Sequence, residues 1–180
     1  RIALNSSYPK NILLRSSPMI TEACRNAEDW SRKDIVYVIG EVIERNRVQH
    51  LWFIYGDCYF AGAETYEKLR AKVIDGVREL DLELAETREL GRVNRLDPLG
   101  FTNLRIRGMW DVEGPRRVFE GLYDPVDHLP SVFCLMTREK FESFPEISRA
   151  RLRGLSVAGV KIEGVSVPDP NYPDNQLDAV

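Results

Sequence analysis

The chain has 180 residues, of which 43% are hydrophobic and 29% charged, with 25 Lys and Arg against 28 Asp and Glu. That length fits one domain, and the apolar fraction excludes wholesale disorder. No apolar run approaches the roughly 18 residues of a transmembrane helix, and the beginning of the chain lacks the apolar core of a signal peptide. Three widely spaced cysteines, Cys24, Cys58 and Cys134, argue against a disulfide framework. We therefore predict a cytoplasmic protein without a membrane partner.

Charge is distributed unevenly along the chain. Residues 1–21 contain three basic residues and no acidic one, whereas residues 162–180 contain four acidic residues and no basic one. The basic start would suit a polyanion, although charges that merely keep a surface hydrated would produce the same pattern. The acidic end is rich in proline and typical of a solvated, loosely ordered tail. We predict a single α/β domain over residues 1–167 and an acidic, proline-containing tail over residues 168–180.

The first third of the chain predicts loops, one short helix and several strands. Residues 12–14 form a short apolar run that favours a strand, and residues 21–26 favour a helix with Thr21 as its N-cap. Residues 35–39 and 51–55 are β-branched and aromatic runs. Neither run alternates polar with apolar residues, which predicts two central strands that are covered on both faces. The short connection between them predicts an antiparallel pair.

The remaining elements alternate between helices and strands. Residues 64–80 place apolar side chains at helical spacing and predict an amphipathic helix. Residues 102–112 alternate and predict one half-buried strand. The other predicted elements are a strand or helical turn over 82–90, a helix begun by Pro115, a strand over 131–136, a helix capped by Thr137 and broken by Pro145, and a strand over 157–167. The pattern predicts a mixed α/β fold, with a mixed sheet flanked by helices.

Several catalytic signatures are absent, since the sequence contains no GxxxxGK[ST], GxGxxG, HExxH or GxSxG. His50 and His128 lack partners at metal-ligand spacing, which predicts structural roles, and Cys58 ends an apolar run and is expected to pack in the core. Asp57 follows an apolar strand and a glycine. A carboxylate at that place serves either catalysis and metal binding or the formation of a turn, and both interpretations remain open.

Two groups of polar residues are candidates for contacts with nucleic acid. Arg105 and Arg107 would emerge about 7 Å apart from one face of the predicted strand, close to the separation of neighbouring phosphates, and arginine also binds guanine bidentately. Ion pairs with nearby acids would explain them equally well, and the cluster of Arg149, Arg151 and Arg153 carries the same ambiguity. The beginning of the chain is dense in hydrogen-bond donors of the kind that contact phosphates and base edges, as surface loops also are. These residues are Asn5, Ser6, Ser7, Lys10 and Arg15.

Four segments together resemble the NgoPII-like group of type II restriction endonucleases. They are LNSSYPK at 4–10, LWFIYGDCYFA at 51–61, ELGRVNRLDPLG at 89–100 and LRIRGMW at 104–110. The resemblance implies a restriction-endonuclease-like fold of the PD-(D/E)XK superfamily. It also implies a Mg²⁺-dependent homodimer that cleaves both strands of double-stranded DNA, with GGCC as the associated site. We expect the DNA contacts to come from Asn5, Ser6, Ser7, Lys10, Arg15, Arg105 and Arg107.

The chemistry of that superfamily needs an Asp and a Glu-x-Lys motif, which hold Mg²⁺ and orient the attacking water. None of the lysines in the sequence follows an acidic residue at that spacing. In the layout that the resemblance implies, LNSSYPK comes just after the Glu-x-Lys strand. We therefore expect the catalytic strands to precede residue 1 and this chain to be the distal part of the nuclease.

Three other possibilities remain open at this point. Asp111 and Glu113 would supply metal ligands in a variant site, but they lack the companion lysine. A non-catalytic DNA-binding or protein-interaction domain would explain the missing motif. A small-molecule enzyme that uses Asp57 would need a closed pocket near that residue.

Overall fold

The computed structural model describes residues 1–4, 8–17, 20–43, 46–80, 82, 84–85, 90–122, 129–155 and 160–180. The strands are β1 (Ile2–Leu4), β2 (Ile12–Leu14), β3 (Arg32–Asp34), β4 (Val36–Ile43), β5 (Arg47–Tyr55), β6 (Gly91–Val93), β7 (Leu104–Ile106), β8 (Trp110–Val112), β9 (Ser131–Leu135), β10 (Val165–Pro168) and β11 (Gln176–Ala179). The helices are α1 (Glu22–Asn26), α2 (Ala63–Arg78), α3 (Pro115–Val118), α4 (Arg138–Glu142) and α5 (Glu146–Arg153). The mixed α/β class is confirmed. None of these helices is long and apolar enough to cross a bilayer.

The chain divides into two compact units, each built from two separate stretches of sequence. The first unit comprises Arg1–Pro9 and Ala63–Gly114, and the second comprises Lys10–Gly62 and Pro115–Val180. The single domain expected over residues 1–167 stays a prediction.

A three-stranded mixed sheet forms the centre of the second unit. Its order is β4-β5-β9, with β5 antiparallel to β4 and parallel to β9. The predicted antiparallel pair and the predicted strand near residues 131–136 are therefore confirmed. The other described strands form two-stranded sheets, in which β2 pairs with β3 and β10 with β11 in the second unit.

The two long strands differ in how well they are covered. Trp52 and Ile54 of β5 are 3% and 0% exposed, whereas Val38 and Val42 of β4 are each 59% exposed. The prediction that both faces of both strands are covered is thus wrong for β4, which lies at the edge of the sheet. β-Branched residues favour extended backbone whether or not they are buried, so an apolar run does not by itself distinguish an edge strand from a central one.

Aromatic side chains fill the core beside β5. The ring of Trp52 stacks on that of Phe133 in β9, with centroids 4.3 Å apart, and lies 6.3 Å from the ring of Phe119. Phe119 follows α3 directly and is 2% exposed. Such rings bury large apolar areas in offset-stacked pairs, so this group attaches α3 to the sheet.

Two predicted helix starts are confirmed by their capping hydrogen bonds. The hydroxyl of Thr21 accepts a hydrogen bond from the backbone N–H of Cys24 at 3.4 Å. The hydroxyl of Thr137 accepts one from the backbone N–H of Lys140 at 3.2 Å. Each cap satisfies a donor that the first helical turn leaves unpaired. The predicted break at Pro145 is also confirmed, because α4 ends before it and α5 begins immediately after it.

The C-terminal residues form a packed hairpin of β10 and β11. Val167 and Ala179 are both 0% exposed, and the backbone of Val180 exchanges two hydrogen bonds with that of Met136. The expectation of a loosely ordered tail is therefore wrong, because alternating apolar residues in the two strands outweigh the acidic and proline-rich composition. The structure contains only the end of the strand predicted over 157–167, because β10 begins at Val165. Residues 156–159 lie outside the described residues.

The first unit contains α2 and two strand pairs. The amphipathic helix over 64–80 is confirmed. The single strand predicted over 102–112 is wrong, because β7 pairs with β6 and β8 pairs with β1. Residues 107–109, with Gly108 at their centre, separate the two strands. Of the segment predicted over 82–90, most residues lie outside the described part of the chain, and Leu84 bridges to β6.

Candidate nucleic-acid interface

The residues predicted to contact DNA are distributed over both units. Lys10 and Arg15 belong to the second unit, and Arg105 and Arg107 belong to the first. Asn5, Ser6 and Ser7 lie outside the described residues.

Tyr37 of β4 holds the backbone that carries Lys10. The Tyr37 hydroxyl accepts a hydrogen bond from the Lys10 N–H at 2.9 Å and donates one to the Lys10 carbonyl at 2.8 Å. Burial raises the pKa of the Tyr37 hydroxyl, and the hydrogen bond with the Lys10 backbone opposes that rise only in part. The phenol therefore stays protonated at neutral pH and serves as both donor and acceptor, which fixes Lys10 at the entrance to β2.

Arg15 lies in the turn after β2, at an open depression in the second unit. Its Nη1 is 2.9 Å from Oδ1 of Asp29, so the two side chains form an exposed ion pair. Arg25 faces the same depression, where its Nη2 donates to the carbonyl of Ser17 at 3.1 Å. Because surface ion pairs are weak, a phosphate could displace the Asp29 carboxylate from Arg15. The arrangement suits either a structural ion pair or a phosphate contact.

A hairpin in the first unit brings a further arginine next to Arg105. Arg92 of β6 stands directly opposite Arg105 of β7, and both residues are exposed. Arg107 lies beyond the end of β7, so the expectation that Arg105 and Arg107 share one face of a strand is wrong. The sequence pattern did not single out Arg92, although the alternation before the Asp97-Pro98 turn signal predicts a hairpin.

Asn103 and Trp110 lie near these arginines in the sequence, and both make contacts within the protein itself. The Trp110 ring lies 5.5 Å from that of Tyr66 and 6.3 Å from that of Tyr8, in edge-to-face arrangements. The side-chain oxygen of Asn103 accepts a hydrogen bond from the Arg95 N–H at 3.2 Å. Trp110 of β8 thus packs against Tyr66 of α2, while Asn103 helps to close the β6–β7 loop.

Asp57 lies at the end of β5 and belongs to a charge-balanced group. Its Oδ2 is 2.6 Å from Nη2 of Arg32, and Oδ2 of the neighbouring Asp34 is 2.6 Å from Nζ of Lys140. Burial raises the pKa of Asp57, and the Arg32 guanidinium opposes that rise. Each carboxylate therefore has a cation of its own, which favours the structural interpretation of Asp57.

The described residues do not offer a magnesium site. No three side chains among their His, Cys, Asp and Glu lie close enough together to hold a metal ion. The carboxylate of Glu113 is 3.2 Å from the Arg1 guanidinium, and Asp111 is exposed on β8. The variant site built on Asp111 and Glu113 thus lacks a third ligand among the described residues.

His50 and Cys58 are both buried. His50 is 2% exposed, and its ring lies 5.9 Å from that of Phe133, which confirms a core position. Cys58 is 1% exposed, and burial, with a smaller contribution from Asp57, raises the pKa of its thiol to about 12. A thiol with that pKa is not a nucleophile at neutral pH, so the predicted packing role of Cys58 is confirmed. His128 lies outside the described residues.

The chain is similar to known proteins over nearly its whole length. The family model described as NgoPII restriction endonuclease matches residues 1–168. The chain is also 37% identical over 174 residues to the Type II restriction enzyme NgoPII of Neisseria gonorrhoeae. That match covers 96% of this chain but 62% of the relative, so the chain spans somewhat less than two thirds of the relative's length. No solved structure matches the chain.

Proposed function

Because the chain belongs to the NgoPII restriction endonuclease family, we propose that it functions as part of a type II site-specific endonuclease that hydrolyses phosphodiester bonds in double-stranded DNA. The observation that carries this proposal is the 37% identity to a type II restriction enzyme over 96% of the chain. The similarity includes both compact units, so it does not rest on one short motif.

The proposed reaction depends on Mg²⁺, which would stabilise the charge that develops on the phosphate and the leaving oxygen. The described residues do not form a site for this ion, and the sequence has no Glu-x-Lys motif. In this proposal the catalytic Asp and Glu-x-Lys lie before residue 1, on strands that would complete a restriction-endonuclease-like fold.

The role proposed for the chain itself is DNA binding. Lys10, Arg15, Arg105 and Arg107 supply positive charge for phosphates or base edges, and Asn5, Ser6 and Ser7 supply neutral donors. A homodimer would place the same contacts on the two halves of a palindrome, for which GGCC is the proposed sequence. The enzyme would act in the cytoplasm, where its substrate is found.

The test is cleavage of a plasmid by the protein from the complete gene, with Mg²⁺ and with EDTA as the control. Discrete fragments that form only with Mg²⁺ are the expected result, and their ends would give the recognition site. Intact plasmid, from a protein shown to be folded and to contain Asp and Glu-x-Lys, would refute the nuclease proposal.

A second candidate function is a DNA-binding domain without catalysis. The missing Glu-x-Lys motif favours it, and it predicts salt-dependent binding to duplex DNA without cleavage in any metal. The plasmid assay and a binding assay on the same protein distinguish the two candidates.

A further inference from the structure

The strongest additional feature is the basic hairpin, which we define as residues 91–107. It consists of β6, β7, the loop that connects them and Arg107. The chain as a whole carries a net charge of -3, yet these residues contain four arginines and one acid, Asp97. Arg92, Arg95, Arg105 and Arg107 are all exposed. A concentrated positive charge in an acidic protein indicates a polyanionic partner.

Hydrogen bonds order the loop at the tip of the basic hairpin. The carboxylate of Asp97 accepts from the backbone N–H of Leu99 at 3.0 Å and from that of Thr102 at 2.5 Å. The backbone N–H of Leu96 donates across the loop to the Thr102 carbonyl at 2.8 Å. Hydrogen bonds to the Asp97 carboxylate, led by one from the Thr102 side chain, lower the pKa of Asp97 to about 2. The one negative charge of the hairpin is thus directed inward, to its own backbone.

The conformation of Arg95 adds to this order. Arg95 has a positive φ of 55°, and Gly100 across the loop has a φ of 73°. The aliphatic stem of Arg95 packs on Gly100, because a Cβ at that position would lie 3.2 Å from the Arg95 Cγ. Arginine rarely adopts a left-handed conformation, and such residues concentrate at functional sites.

The ordered loop presents large apolar side chains to solvent. Leu99 is 75% exposed and Phe101 is 82% exposed. Exposed single apolar residues are common, but here two of them stand at the tip of one rigid loop between basic strands. An ordered apolar tip above a basic stem has the composition of elements that wedge into a DNA groove.

We propose that the basic hairpin is a DNA-wedging element, in which Arg92 and Arg105 contact phosphates while Phe101, supported by Leu99, inserts between bases from the minor groove. This inference rests on the proposed function, and it assigns a specific element and a specific mode of contact to it. The two arginines stand opposite each other across the strand pair, so both guanidinium groups are placed to contact phosphates of one DNA backbone. The loop is ordered before binding, so insertion would cost little conformational entropy.

The charge of the stem favours DNA over a second copy of the chain. A copy of this protein carries a net charge of -3, whereas duplex DNA presents about one negative charge per 1.7 Å of helix axis. Four arginines therefore match DNA far better than they match another copy. An apolar tip that served only a protein interface would not need this charge.

The test measures binding to a fluorescein-labelled duplex that contains GGCC, with 2-aminopurine beside the site and Ca²⁺ in place of Mg²⁺. The protein from the complete gene is compared with Phe101→Ala, Phe101→Leu and the double variant Arg92→Ala/Arg105→Ala. Tyr172→Ala is the matched control for loss of an exposed aromatic ring, since Tyr172 is 64% exposed in the second unit. Lys161→Ala is the control for loss of charge, since Lys161 already pairs with Glu163 at 3.5 Å.

The wild type should bind with a rise in 2-aminopurine fluorescence, because a wedge unstacks the base. Phe101→Ala should abolish that rise and weaken binding by about tenfold, while Phe101→Leu retains part of both. The double arginine variant should weaken binding by about tenfold or more and lower the salt slope by about 1.8. The two control variants should behave like the wild type.

Different failures have different meanings. A folded wild type that neither binds nor cleaves DNA would overturn the proposed function. If the wild type binds DNA and all hairpin variants bind it with the same affinity and the same 2-aminopurine fluorescence, the wedge alone would be overturned. Light scattering would show whether Phe101→Ala loses DNA binding because a dimer dissociates. That result would assign the tip to a protein interface and would also overturn the wedge.

Discussion

The backbone of Gly56 passes very close to another segment of the second unit, so Gly56→Ala should be strongly destabilising. A Cβ at Gly56 would lie 2.7 Å from both the Cα and the carbonyl carbon of Asn11, and closer still to its carbonyl oxygen. The N–H of Gly56 donates to the Ile35 carbonyl at 2.8 Å. Its carbonyl accepts from the N–H groups of Tyr59 and Phe60 at 3.0 and 2.8 Å. The glycine is therefore held on both sides and cannot easily move away from Asn11.

The size of the effect follows from this geometry. Carbon atoms prefer separations of about 3.5–4.0 Å, so the two segments would have to move apart by roughly 1 Å. Overpacking of this kind costs about 1–3 kcal/mol, and breaking one of the hydrogen bonds of Gly56 adds about 1 kcal/mol. We expect the free energy of unfolding to fall by about 2–4 kcal/mol, which corresponds to a decrease in Tm of about 4–16 °C for a chain of this length.

Urea denaturation, followed by tryptophan fluorescence and circular dichroism, measures this change. The matched control is Gly40→Ala in β4 of the same sheet, where an added Cβ would lie 3.7 Å from a methyl group of Val48. That is an ordinary contact, and replacing a strand glycine should stabilise the protein by up to about 1 kcal/mol. A Gly56→Ala protein within about 0.5 kcal/mol of the wild type would refute the close approach of Gly56 and Asn11.

Three further predictions concern single side chains. At about pH 8, iodoacetamide should modify the exposed Cys24 in the native protein, whereas Cys58 should react only after denaturation, because the pKa of the Cys58 thiol is about 12. Equal rates of modification of the two cysteines, measured by peptide mass spectrometry, would contradict this prediction. The Asp97 carboxyl should titrate near pH 2 in carbon NMR spectra. Because the pKa of Asp97 is lower in the folded protein than the ordinary carboxyl value of about 3.9, the ionised side chain stabilises the folded loop at pH values above about 3.9. That stabilisation is lost as the pH falls through the folded-state pKa. A titration midpoint near pH 4 would exclude the Thr102 hydrogen bonds. Phe119→Ala should lower the free energy of unfolding by about 3–5 kcal/mol in urea denaturation, and a loss below about 1 kcal/mol would show that this ring is not in the core.

Local signals in the sequence predicted the elements whose cause is local. Thr21 and Thr137 cap helices because a threonine hydroxyl can satisfy a free N–H of the first turn wherever the helix later packs. The break at Pro145 has a similarly local cause, since proline restricts the residue before it and lacks an N–H. The pairing of β4 with β5 followed from their short connection.

Features that depend on distant partners were not predictable in this way. The exposure of Val38 follows from the absence of a strand beyond β4 among the described residues, and no pattern within residues 36–43 reports that. The C-terminal hairpin illustrates the opposite error. Composition predicted a loose tail, whereas Ala179 is buried and forms a bridge with Thr137, a residue that is far away in sequence.

The candidate interface was predicted in part, and its missing part has a physical explanation. Arg105 stood out because it alternates with apolar residues, but Arg92 becomes its neighbour only when β6 folds back on β7. The strand that residues 102–112 predict is broken at residues 107–109, directly after β7. The hairpin before this break contains an arginine with a positive φ, two arginines that face each other and a phenylalanine, Phe101, that is 82% exposed. Departures from locally favourable structure concentrate at functional sites, so several of them in one hairpin strengthen the inference that it serves binding more than stability.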